Sequence, residues 1–150
     1  MLHLPVGPVH HVRMAVTDVG RSVVFYTQML GFEIAVDAPP PSDDEHHDEM
    51  VDTMQGGVIL QHQGMFFGLR PVDEERASNA DRFDALRVGL DHLSFSVPTR
   101  ADLDAAVGLL DQRGIEHGPI RDLAPLGLSF LAFFDPDGIA LELTSPITDA

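Results

Sequence analysis

The chain has 150 residues, 44% apolar and 22% charged, which is the size and composition of one ordinary globular domain. It contains no cysteine and no lysine. That excludes a disulfide framework, thiolate metal sites, thiol nucleophiles, Schiff-base chemistry and the lysine of a phosphate-binding loop. With 24 acidic residues against 9 basic ones, all arginine, the formal charge of −15 argues against nucleic-acid and anionic-membrane partners. No run of about 18 apolar residues occurs and the opening residues lack a signal-peptide pattern, so a cytoplasmic location is expected.

The first element begins at His11, where Val12, Met14 and Val16 alternate with His11, Arg13 and Ala15. Period-2 alternation predicts a half-buried strand with the histidine on the face opposite the apolar set. A helical pattern follows from Val19 to Leu30, with Val23, Val24, Met29 and Leu30 as its expected apolar side and Gly31 closing it. A strand is predicted from Phe32 to Val36. The segment from Ala38 to Thr53 opens on three prolines and continues through Asp43-Asp44-Glu45-His46-His47-Asp48-Glu49. Its acidity predicts an exposed, mobile loop. Val58 to Gln61 and Met65 to Val72 read as a hairpin about the turn Gln63-Gly64.

The second half repeats the first. His92-Leu93-Ser94-Phe95-Ser96-Val97 has the same alternation as the segment from His11. A helix is predicted from Arg100 to Arg113, with Leu103, Ala106, Val107 and Leu110 on one side. Thr99 and Asp102 cap its start and Gly114 ends it. A weaker strand is expected near Ile115 to Ile120. Then come Leu128 to Phe134, the turn Asp135-Pro136-Asp137-Gly138, and a last strand from Ile139 to Thr144. The predicted class is α+β: two paired β-α-β-β-β modules, about 9–72 and 89–146, joined by a linker at 73–88. Together they form a single domain over 1–150, a curved mixed sheet around a metal-binding cavity.

Duplication places His11 and His92 at equivalent positions of two similar sheets. If the sheets face one another about a pseudo-twofold axis, both imidazoles enter one cavity. Glu142 is a lone carboxylate in an otherwise apolar strand. Burying it unpaired costs several kcal/mol, so it must protonate, meet a cation or bind a metal. Two imidazoles and one carboxylate form the facial set typical of divalent ions with open coordination positions. His10 competes with His11, but it falls on the side of Val12 and the repeat aligns His92 with His11. Arg13 and Arg70 share the strand faces of His11 and Gly68 and predict an anionic ligand, or else pairing with acidic residues at the sheet rims. His62, beside the first hairpin turn, is a candidate general base or a solvated side chain.

His11-Val12-x-Met14-x-Val16-x-Asp18, followed by Ser22-x-x-Phe25-Tyr26-x-x-x-Leu30-Gly31-Phe32, resembles the opening module of the vicinal oxygen chelate superfamily. That group includes glyoxalases, bleomycin-resistance proteins, fosfomycin-resistance enzymes and extradiol dioxygenases. Leu90-Asp91-His92-Leu93 and Phe134-Asp135-Pro136-Asp137-Gly138-x-x-x-Glu142-Leu143 extend the resemblance to the second module. It implies His11, His92 and Glu142 as ligands of a divalent metal, which could be Fe2+, Mn2+, Zn2+ or Ni2+. Superposing Gly64 on Gly138 sends the fourth family position to Gly68, which carries no ligand. The expected protein is a homodimeric metal-dependent lyase or dioxygenase acting on a small oxygenated, chelating substrate. The alternative is an antibiotic-sequestering protein of the bleomycin-resistance type without catalysis.

Overall fold

The computed structural model describes Leu4 and residues 6–147, which fall into two compact units, Met1–Asp81 and Arg82–Ala150. The first unit runs β1 (His11–Val16), α1 (Val19–Leu30), β2 (Glu33–Val36), α2 (His47–Met54), β3 (Val58–His62), β4 (Met65–Pro71) and α3 (Glu74–Ser78). The second runs β5 (Leu93–Ser96), α4 (Arg100–Arg113), β6 (Arg121–Leu123), β7 (Leu128–Phe134) and β8 (Ala140–Pro146). Each unit holds one four-stranded mixed sheet, ordered β1-β4-β3-β2 and β5-β8-β7-β6. In both, the first strand lies parallel to the last and the other pairings are antiparallel. The α+β class and the duplicated module are as the sequence predicts.

In each unit the helix after the first strand begins and ends on local chemistry. Asp18 accepts the Arg21 amide at 2.9 Å to start α1, and Gly31 ends it in the left-handed region at φ 69°. Thr99 and Asp102 form the expected capping box of α4. The buried stripe of α1 is Ser22, Phe25 and Tyr26, not the valines of the sequence reading; Val24 stays exposed. The two aromatic rings decide this because they remove the most apolar area from water. The Tyr26 hydroxyl reaches the Met14 sulfur at 3.5 Å, tying α1 to the buried side of β1.

Two expectations are corrected. The segment from Ala38 to Thr53 does not stay a loop: its second half forms α2. Asp48 and Glu49 sit in the first turn, where the helix dipole favours negative charge, and Met54 at the other end is buried. The weak strand near Ile115 to Ile120 is displaced to β6. Upstream of it only an isolated bridge joins His117 to Phe133, since Pro119 has no amide to give a ladder.

That bridge carries a pH-sensitive contact. His117 Nδ1 lies 2.8 Å from the Gly118 carbonyl oxygen and Nε2 lies 3.2 Å from Asp111 Oδ1 on α4. Both partners only accept, so both nitrogens donate only when the ring is protonated. The hydrogen bond to the Gly118 backbone, then that to Asp111, hold the His117 pKa above its ordinary value against the opposing effect of burial. A raised folded-state pKa stabilises fully below the unfolded value and is lost as pH rises through the folded one. Urea unfolding at about pH 6 and about pH 8.5 should therefore show the parent losing more stability on alkalinisation than His117→Gln. Equal losses would show that the contact is not linked to folding.

Candidate functional site

In the first unit, Met14 and Val16 are buried while His11, Arg13 and Ala15 lie on the open face of β1. The parallel register sets His11 beside Phe66, Arg13 beside Gly68 and Ala15 beside Arg70. A cavity of about 380 Å³ opens on this face. Its apolar wall is Val36, Met54, Val58, Ile59, Phe66 and Leu69, and its polar groups include His10, His11 and Arg13. Strand alternation alone predicts His10 on the apolar side. It precedes the strand, so alternation does not bind it, and its ring packs 6.1 Å from Phe66 and 5.3 Å from His11. The two Nδ1 atoms stand 3.0 Å apart.

Arg13 lines the cavity and turns one terminal nitrogen to the backbone. Its Nη2 donates to the carbonyl oxygens of Thr53 at 2.6 Å and Met54 at 3.1 Å, at the negative end of α2. Gly68 makes room for its stem, since a Cβ there would stand 3.0 Å from Arg13 Cγ. Removing the guanidinium should uncap α2: Arg13→Ala is expected to cost about 1 kcal/mol and to raise amide exchange in α2 before other segments. Unchanged α2 exchange would show that these bonds carry no weight. Arg70 is exposed beside Ala15 and does not line the cavity. His62 is also corrected. It shares the strand face of the buried Leu60 and stacks on Phe32 at 4.8 Å and 19°, on the side of the sheet away from His11 and Arg13. It does not line this cavity.

In the second unit the parallel register pairs Ser94 with Glu142 and Ser96 with Thr144. Glu142 is not unpartnered. Ser94 Oγ and Thr144 Oγ1 each donate to Glu142 Oε1 at 2.9 Å, and the two hydroxyl oxygens are 2.6 Å apart. His92 Nδ1 bonds Asp91 Oδ1 at 2.5 Å, and Nε2 faces Glu142 Oε1 at 3.8 Å. Ser94 is not marked in the sequence, because a strand serine carries no signal without the pairing that seats it on a carboxylate.

The registers also establish the internal alignment. Two residues past each histidine, Arg13 pairs with Gly68 and Ser94 with Glu142, so Gly68 is the first-unit equivalent of Glu142. Donor chemistry at the second-unit pair fits a divalent ion. Metal–nitrogen and metal–oxygen bonds of about 2.0–2.2 Å sum to about 4.2 Å, which exceeds the observed separation of 3.8 Å, so one ion can touch both. Among the described residues, no three His, Asp or Glu side chains are gathered into one group.

The family model of the glyoxalase/bleomycin resistance protein/dioxygenase superfamily matches residues 9–143. The chain belongs to this superfamily. The matched span takes in His11, His92 and Glu142 and runs from before β1 to Leu143 within β8. This chain is similar to YaeR of Escherichia coli (strain K12), 34% identical over 137 residues, 90% of this chain and 93% of that protein. YwkD of Bacillus subtilis (strain 168) is 30% identical over 135 residues, 90% of this chain and 94% of its own. A crystal structure of a glyoxylase/bleomycin resistance protein/dioxygenase domain from Frankia sp. EAN1pec superposes with a TM-score of 0.71 at 30% identity. It covers 94% of this chain and 98% of that one. No described helix of this superfamily member is long and apolar enough to cross a membrane.

Proposed function

We propose that this superfamily member is a divalent-metal-dependent enzyme of the glyoxalase or dioxygenase type, acting on a small oxygenated molecule that chelates the metal. The observation that carries the reading is the second-unit pair, with His92 Nε2 and Glu142 Oε1 separated by 3.8 Å, His92 held at Nδ1 by Asp91 and Glu142 held at Oε1 by Ser94 and Thr144. His11, the repeat equivalent of His92, is assigned as the third ligand. A divalent ion bound by three protein groups supplies Lewis acidity and open positions for substrate oxygens. The chain's own residues prepare the donors. Asp91 accepts the Nδ1 proton of His92 and leaves the Nε2 lone pair for coordination, the tautomer a ligand needs. Ser94 and Thr144 hold Oε1 of Glu142 and fix the carboxylate's direction.

The proposal extends to a homodimer, supported by Leu86, Val88 and Leu90, which stand exposed on the segment between α3 and β5. Elemental analysis of protein purified without chelators or a metal-affinity tag tests the metal, and sedimentation tests the dimer. About one equivalent of a divalent ion per chain is the expected result. A metal-free protein that binds small ligands and returns them unchanged would replace the enzyme with a sequestering protein.

A further inference from the structure

We infer that the first-unit cavity receives the uncharged, apolar body of the ligand, an aromatic ring system or branched hydrocarbon, and that Arg13 is no carboxylate clamp. This specifies the substrate class of the proposed site, but the binding step it describes requires no metal. The cavity, about 380 Å³, lies in the usual range for small-molecule sites. Met54, Val58, Ile59 and Phe66 offer it no hydrogen-bonding side-chain group. Arg13, the one cation among the described residues of its wall, directs Nη2 to the Thr53 and Met54 carbonyl oxygens at 2.6 and 3.1 Å. Those bonds hold one face of the guanidinium on the end of α2, so a ligand carboxylate could meet only its remaining N–H groups. Otherwise it would be desolvated against hydrocarbon, which disfavours the charged form. The formal charge of −15 adds long-range repulsion of the same sign. His10 and His11 line the same cavity and leave a polar edge for one hydroxyl or carbonyl group of an otherwise apolar molecule.

The test uses the full chain, stripped of metal, with 2-naphthol and 2-naphthoate as probes of matched shape and different charge. Binding is followed by calorimetry and by the methyl resonances of Met54, Val58 and Ile59. The expected result is at least about tenfold tighter binding of the naphthol, with shifts at those methyls. Most of the ratio should persist at about 0.5 M salt, because salt screens the long-range repulsion and leaves the larger contribution of local desolvation. Ile59→Trp, which fills the cavity, should abolish naphthol binding; Val36→Phe serves the same purpose if the tryptophan variant does not fold. Four results would overturn the inference. One is equal or tighter naphthoate binding that Arg13→Ala removes, and another is a preference that vanishes in high salt. The third is naphthol binding that leaves the three methyls unmoved. The last is no binding while the same methyls shift with protein concentration, which would show a second copy of the chain covering this face. Metal content is measured separately on untreated protein, so failure here and failure of the metal reading are told apart.

Discussion

His92→Ala and Glu142→Ala should each lower divalent-metal affinity by at least about 100-fold while leaving the fold intact, and His11→Ala should do the same. The magnitude exceeds the ~10–100-fold that groups behind a ligand contribute, because a ligand itself is removed. The fold should survive because His11 and His92 are exposed, and exposed changes seldom move stability by more than about 0.5 kcal/mol. Glu142 is half-buried, but its loss strands nothing: the Ser94 and Thr144 hydroxyls are already 2.6 Å apart and satisfy each other. Asp91→Ala should cost about 10–100-fold, and Asp91→Asn, which retains an acceptor for the Nδ1 proton, should recover part of it. Calorimetric titration with Zn2+ or Mn2+ reads all of these, with circular dichroism reporting the fold. Unchanged metal stoichiometry in any alanine variant of the three would remove that residue from the ligand set.

Gly57→Ala should be the most damaging single methyl added to the first unit. A Cβ there would stand 2.0 Å from the Leu69 carbonyl oxygen, 2.9 Å from that of Met54 and 3.0 Å from the Arg70 Cα. All three are backbone atoms, so no rotamer change relieves the clash. Either β3 separates from β4, or the end of α2 that Arg13 caps must move. The expected cost is about 3 kcal/mol, at the upper end of overpacking, and a melting temperature lower by about 6–12 °C. Gly108→Ala is the matched control. It lies exposed in the interior of α4 with no other group within 4 Å of an added Cβ, so the same methyl should stabilise by up to about 1 kcal/mol. Thermal melts showing the same sign at both positions would refute the account of Gly57 as a site of close backbone approach.

Much of the fold is legible in the sequence wherever the determinants are local. The bounds of α1 and α4 follow from Asp18, Gly31, Thr99, Asp102 and Gly114, because caps act within one turn of the chain. The faces of β1 follow from two-residue alternation, which sets His11 and Arg13 opposite Met14 and Val16. Duplication carries the same placement to His92 and aligns Gly68 with Glu142, a correspondence the two strand registers bear out. Family membership rests on these same local patterns.

What the sequence leaves open depends on partners distant along the chain. An acidic segment reads as solvated until Arg13, some forty residues earlier, is seen to cap α2 and Met54 to anchor it. An arginine beside a histidine reads as a ligand clamp until its guanidinium is found on the Thr53 and Met54 carbonyls. His62 reads as a base until Phe32, thirty residues before it, stacks on its ring. Glu142 reads as an unpaired charge until strand pairing brings Ser94 to it from forty-eight residues away. The sequence by itself determined caps, alternation and the repeat, because each is fixed by neighbours within a turn or a strand. Only the tertiary structure decided where each charge is spent, because a guanidinium or a carboxylate takes whichever partner the folded chain brings within hydrogen-bonding distance.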